Sequence, residues 1–325
     1  MDFNKLADEI INGKRLKRGD DFSEFITGDL KEMEKGADKI RDALCGDKVD
    51  LCTIISAKSG KCGENCKFCA QSAFHHTSCD VYDFMDEDKI FEQAKSNQAE
   101  GVDRFGIVDS GKGPTPEDFE KIIHVIKRMH KELNIELCCS LGFMTSEQFH
   151  RLHEAGVTAV HNNIETSRRF FPHICTTHTF DDKIANIKRA QAEGLNVCSG
   201  CIIGMGEDWD DRIDIALTLN ELDVSSIPIN SLMPIKGTAL EDRPRLTEDD
   251  ILRTIAIFRY INPTKELRLA GGRALMSDNG RCTFTSGASA SITGNMLTTS
   301  GSTIKMDREM LTELGRDIVP VPGEV

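Results

Sequence analysis

No apolar run in the 325-residue chain approaches the ~20 residues of a membrane-spanning helix, so a membrane partner is not expected. Positive charge is in short supply. Lys and Arg number 40 against 53 Asp and Glu, a net charge of -13, which disfavours a nucleic-acid partner and suits a neutral or modest-sized substrate. Low-complexity segments are absent, and no dinucleotide fingerprint follows the first strand-like run. The opening MDFNKLADEI is acidic and amphipathic, unlike a signal peptide, and the chain is expected to be cytoplasmic. A hydrophobic fraction of 39% and a charged fraction of 29% fit a globular protein with a sizeable core.

Cysteine is the residue present in excess, with 12 in the chain. A reducing cytosol argues against a disulfide framework and leaves metal or cluster ligation as the natural use. Free cysteine also serves as a small buried hydrophobe, the role expected of Cys45, Cys52 and Cys282. Cys79 and Cys175 receive no assignment. The stretch KCGENCKFCAQS, residues 61–72, places Cys62, Cys66 and Cys69 on a polar loop in a C-x3-C-x2-C spacing. A structural zinc site wants four ligands in paired short motifs, and no second C-x2-C or H-x3-H lies nearby. His75 and His76 keep zinc open as a lesser alternative. A four-iron cluster held by three thiolates would keep one iron free for a substrate.

Short apolar runs recur at 51–56, 104–108, 135–142, 158–165, 195–204, 224–233, 266–273 and 288–294 and read as strands. Helical patterns separate them. Thr115 precedes Pro116 at one helix start. Thr145 with Gln148, Thr179 with Asp182 and Thr247 with Asp250 give capping-box spacing at three more. Strands alternating with helices imply parallel βαβ units, and a count of eight selects the closed (β/α)8 TIM-type barrel over an open sheet. The expected organisation is an N-terminal helical extension over 1–50, the barrel over 51–310 and a loosely ordered tail over 311–325. The cysteine loop then follows the first strand, at the end where barrel active sites lie.

The C-x3-C-x2-C loop, with Phe68 before its last cysteine, resembles the signature of the radical S-adenosylmethionine superfamily. Further stretches resemble the biotin synthase family: SAKSGKCGENCKFCAQS, HNNIETS, TTHTFDDKIANIKRAQAEGLNVCSGCIIGMGE, SIPINSLMPIKGTAL, RTIAIFRYINPTKELRLAGGRA and GASASITGNMLTT. The resemblance implies insertion of sulfur into dethiobiotin. It also implies a [4Fe-4S] cluster that binds S-adenosylmethionine, an auxiliary iron–sulfur cluster deep in the barrel, and an electron donor such as flavodoxin or ferredoxin. A homodimer is left open. Two rival readings remain: another biotin synthase-like radical enzyme, and a non-catalytic iron–sulfur or zinc protein.

The resemblance assigns Cys62, Cys66 and Cys69 to the first cluster. Asn163, Glu165, Lys183 and Asn230 are assigned to S-adenosylmethionine or dethiobiotin, and Phe68 joins them at the cofactor. His161 and Glu165 stand where the family more often has asparagine and aspartate, and Lys183 where it tends to have arginine. For the auxiliary cluster it implies Cys138, Cys198 and Arg268, all inward by strand alternation. An ion pair from Arg268 to an inward carboxylate such as Glu165 is the plainer alternative. A further family cysteine is missing, because its place is Gly106. Cys201, beside the permissive Gly200, and Cys139 are the expected replacements. Four thiolates would make a four-iron auxiliary cluster plausible.

Overall fold

The computed structural model describes residues 1–294 and 302–320. The end of the GASASITGNMLTT stretch and the last residues of the tail therefore lie outside the described residues. Three helices come first: α1 (Phe3–Ile11), α2 (Ser23–Thr27) and α3 (Leu30–Cys45). The repeats follow as β1 (Asp50–Lys58), α4 (Glu87–Ala99), β2 (Arg104–Asp109), α5 (Pro116–Glu132), β3 (Glu136–Ser140), α6 (Ser146–Ala155) and β4 (Val157–His161). They continue as α7 (Phe180–Ala192), β5 (Asn196–Cys198), β6 (Cys201–Ile203), α8 (Trp209–Glu221), β7 (Ser226–Ser231), α9 (Glu248–Ile261), β8 (Glu266–Leu269), β9 (Ala290–Ile292) and α10 (Ile304–Glu313).

The sheet order is β5-β4-β3-β2-β1-β9-β8-β7-β6, every pairing is parallel, and β5 also pairs with β7. β5 and β6 are thus two pieces of one strand, and the sheet closes as the eight-stranded barrel that the alternation implied. The break falls at Ser199-Gly200. A Cβ on Gly200 would sit 1.8 Å from the Pro228 carbonyl oxygen, so only glycine lets the two backbones approach there.

The expected helix starts form as read. Thr115 accepts from the Asp118 amide ahead of Pro116, and full capping boxes stand at Thr145, Thr179 and Thr247. Three helices, α4, α8 and α10, have no counterpart in the helical patterns read from the sequence. Within the helical extension, the 22–44 region forms two helices. It breaks at Gly28, where a Cβ would meet the Phe3 ring at 2.9 Å, and Asp29 then caps α3. The N-terminal helices close one side of the barrel against α9, where the Tyr260 hydroxyl donates to the Phe3 carbonyl at 2.9 Å.

The expected start of a loose tail at 311 falls inside α10. Beyond that helix the chain stays engaged: the Val49 amide donates to the Asp317 carbonyl at 2.9 Å, and the Arg316 guanidinium to the Phe284 carbonyl at 2.6 Å. No helix among the described residues is long and apolar enough to cross a membrane.

Candidate active site

A cavity of about 340 Å³ runs into the barrel. Alternation puts residues of one parity on its wall: Cys52 and Ile54 from β1, Arg104 and Gly106 from β2, Cys138 and Ser140 from β3. Their neighbours Leu51, Phe105, Ile107 and Leu137 pack outward into the apolar layer under the helices. Cys69, Phe68 and Gln71 of the cysteine loop close the mouth.

The loop is held by its own backbone. The Cys62 amide donates to the Gln71 carbonyl at 3.0 Å, Ala73 returns a bond to the Cys62 carbonyl at 2.8 Å, and the Cys69 amide donates to Cys66 at 3.0 Å. Gln71 Oε1 accepts from the Gly60 amide at 3.1 Å, tying the loop to the end of β1. Cys62, Cys66 and Cys69 are all half-buried and lie close enough to perturb one another's charge. Cys175, unassigned from sequence, sits against this group. Cys66 Sγ donates to Cys175 Sγ at 3.7 Å, and His178 Nδ1 lies 3.4 Å from Cys175. That shared bond pulls Cys175 down to about 3 and pushes Cys66 up. His75 Nδ1 is engaged with the Cys69 carbonyl at 2.8 Å.

Glu165 occupies the wall at the level of the loop. Its φ is +67°, an uncommon value for a non-glycine residue. It is held there because the Glu165 amide donates to Gly200 and the Ile202 amide to Glu165, at 3.2 and 2.9 Å. One carboxylate oxygen lies 3.8 Å from Lys183 Nζ, while Oε2 is buried with no partner. Burial raises the Glu165 pKa and Lys183 opposes it. A buried acceptor without a donor is costly, so this oxygen fits a ligand that brings hydroxyl groups. Asn163 Oδ1 accepts from the Gly200 amide at 2.9 Å. Asn230 bridges two strand ends: it donates to the Cys201 carbonyl at 3.1 Å and accepts from the Gly271 amide at 3.0 Å. The Asn163 side chain also reaches Glu165 and His161, while Asn230 keeps a further donor hydrogen and lone pair for the cavity.

The Gly204-x-Gly206-Glu207 loop is filled by its own glutamate. The Glu207 carboxylate accepts from the amides of Gly204, Met205 and Gly206 at 2.7, 2.9 and 3.1 Å, and Arg212 pairs with it at 2.9 Å.

Deeper in the barrel lie Cys138, Cys198 and Arg268. The ion pair raised as the plainer alternative for Arg268 is present, but with a different acid: Nη2 is 2.6 Å from Asp50 Oδ1. Its Nη1 donates to the carbonyls of Asp50 and Ser291, each at 3.1 Å, and Nε to Ser226 Oγ at 3.3 Å. Burial works against the charge of Arg268, while Cys52, Asp50 and Cys198 raise its pKa, the Asp50 carboxylate through a direct ion pair. Burial pushes the Cys138 thiol up to about 12 and Cys52 up to about 11.

Three cysteine expectations need correction. Cys201 does not line the cavity; it is 0% exposed within the apolar core. Cys139 borders the cavity but is 1% exposed in that same core layer. Each follows plain alternation, and the break at Gly200 does not turn Cys201 inward. Cys52, taken for a packing residue, lines the cavity with Cys138, Cys198 and Arg268. Cys45 and Cys282 are only half-buried. Cys45 contacts Arg259 at 3.1 Å, and Cys282 lies 3.6 Å from Glu248.

Comparison with known proteins gives the frame for this geometry. Residues 57–219 match the radical SAM superfamily and residues 228–317 the biotin and thiamin synthesis associated domain. Biotin synthase of Clostridium beijerinckii is 57% identical over 97% of this chain and 99% of its own. That of Alkaliphilus metalliredigens is 55% identical over the same shares. Among solved structures, methylornithine synthase superposes with a TM-score of 0.84 at 19% identity, over 98% of each chain. A maturase of the [FeFe]-hydrogenase gives 0.79 at 17% identity, over 97% of this chain and 74% of its own. These last two share the fold.

Proposed function

The chain belongs to the biotin synthase family, and from that premise we propose how its residues divide the work. The reaction is radical insertion of sulfur into dethiobiotin with S-adenosylmethionine, and it uses a [4Fe-4S] cluster and an auxiliary iron–sulfur cluster. Cys62, Cys66 and Cys69 hold the first cluster, which, when bound, supplies the electron that cleaves S-adenosylmethionine. The supporting observation is the hydrogen-bonded loop that brings three thiols to the barrel mouth beside the unpartnered Glu165 oxygen.

In this reading Glu165 accepts from the ribose hydroxyls of S-adenosylmethionine. Lys183 holds the Glu165 side chain and lends positive charge near the S-adenosylmethionine carboxylate. Phe68 lies against the adenosyl end. Asn163 and Asn230 face dethiobiotin with the donor and acceptor that the backbone leaves free, which matches the mixed polarity of a ureido ring. Cys138 and Cys198, with Arg268, hold the auxiliary cluster. A flavodoxin or ferredoxin supplies single electrons from outside.

The test is anaerobic. Reconstituted protein with S-adenosylmethionine, reductant and dethiobiotin is expected to form biotin and 5′-deoxyadenosine. Replacing Cys62, Cys66 or Cys69 by alanine should abolish both products while the circular dichroism of the barrel is unchanged. Retained 5′-deoxyadenosine in any of the three variants sinks the assignment. Total iron reads the auxiliary cluster: about eight irons per chain for two four-iron clusters, about six for a two-iron auxiliary cluster.

A further inference from the structure

We propose that Cys52 supplies the thiolate that Gly106 cannot, so that the auxiliary cluster rests on a single barrel layer made of Cys52, Cys138, Cys198 and Arg268. The proposal deepens the family reading above and rests on it.

The strand registers carry it. In a tilted parallel barrel the four side chains of one layer come from alternate strands. Cys52 of β1 is in register with Arg104 of β2, and Arg104 with Glu136 of β3. Two residues beyond Glu136 stands Cys138. Cys138 is in register with Ala159, and Ala159 with Asn196; two residues beyond stands Cys198. Cys198 is in register with Ser226, and Ser226 with Glu266; two residues beyond stands Arg268. Arg268 is in register with Ala290, and Ala290 with Asp50. Two residues beyond Asp50 stands Cys52, where the circuit began. Four steps of two residues make a stagger of eight, the shear of a barrel of this kind.

The layer therefore closes on three thiols and one guanidinium. Mutual electrostatics agree: Cys138 feels Cys198, Cys52 and Arg268, and Arg268 feels Cys52 and Cys198. Gly106 pairs with Ile54 and Cys138, so it stands one step along the barrel from the layer, where the absence of a side chain leaves room beside the thiols. The same registers exclude the other two candidates. Cys139 pairs with Ile107 and Val160, and Cys201 with Ile229, all residues of the outward apolar core. Arg268 is already anchored to Asp50, Ser226 and Ser291, which leaves one of its five N–H bonds for the cavity.

The experiment is iron and sulfide analysis with Mössbauer spectra on full-length protein, reconstituted anaerobically with iron and sulfide. Cys52→Ala and the volume-conserving Cys52→Ser are expected to lose the auxiliary share of iron and its quadrupole doublet. Both should keep the Cys62–Cys69 cluster and cleavage of S-adenosylmethionine, which serve as the control for folding. Cys139→Ala and Cys201→Ala are expected to keep full iron. In Cys52→Ala a second change, Gly106→Cys, is expected to restore the missing iron, since a Cβ at 106 meets nothing closer than Ile54 at 3.3 Å. Full iron in both Cys52 variants, with the auxiliary share lost in Cys138→Ala and Cys198→Ala, overturns the Cys52 assignment and leaves the family reading standing. Full iron in all of these variants overturns the auxiliary site itself.

Discussion

At the scale of single residues, the barrel strands hold charges whose partners decide their cost. Asp109, at the end of β2, has two buried carboxylate oxygens without a hydrogen-bond partner. Burial, then the neighbouring Asp118, raise its pKa to about 7, with Lys58 pulling the other way. An unfolded aspartate titrates near 4, so the folded chain holds a proton that the unfolded chain has lost. Stability is full below about pH 4 and is lost as pH rises through about 7. Asp109→Asn should therefore melt near the parent value at pH 4 and be more stable at pH 8, by an amount on the order of 4 kcal/mol in urea titrations. Parallel pH profiles for the two proteins would refute this account. Sequence disclosed the inward parity of Cys138, Cys198 and Arg268 but not their partners. The alternative ion pair of Arg268 is made by Asp50 and not by Glu165, since barrel closure sets β1, β9 and β8 side by side and no local pattern shows that. Cys52 shows the same limit: a lone cysteine on a strand looks like packing until the register tells which side chains share its level.

Among the elements, helix starts were legible because capping is local chemistry. Thr145, Thr179 and Thr247 each announced a helix three residues ahead of its Gln or Asp. α8 carried the same signal at Asp208 and Asp211, yet its apolar residues run all round the helix and mask the periodicity. α4 has the opposite difficulty, a polar sequence with few buried positions. The junction of α1, α3 and α9 shows how little slack the packed elements leave. A Cβ on Gly36 of α3 would lie 1.8 Å from the Tyr260 hydroxyl and 2.9 Å from the Phe3 carbonyl, so it would break the bond between them. Gly36→Ala gains helix propensity of about 1 kcal/mol but meets a rigid ring end. A net loss of about 1–3 kcal/mol in chemical denaturation is expected, with iron content unchanged. A variant as stable as the parent would mean that α3 shifts freely on α9.

For the molecule as a whole, the two proposed iron sites differ in what they tie together. Cys62, Cys66 and Cys69 belong to one loop, whereas Cys52, Cys138 and Cys198 stand on three strands. A ligand held only by the folded state stabilises it by mass action, and one whose ligands stand on separate strands also holds those strands together against local opening. Cluster-free protein should keep the far-ultraviolet signature of the barrel and melt at a lower temperature than loaded protein. Cys198→Ala should remove more of that difference than Cys66→Ala. Equal losses from the two variants would show that strand cross-linking contributes nothing.

The closed register also bears on the order of events as the chain leaves the ribosome. The three thiols of the mouth loop emerge within one short segment, so a nascent chain can present them together early. The layer beneath has no such shortcut: its members are separated by more than 200 positions, from Cys52 to Arg268, and they meet only once β8 and β9 have docked. A stalled chain ending before β8 would carry one complete ligand loop above an unfinished layer, so occupancy of the deeper site records completed synthesis.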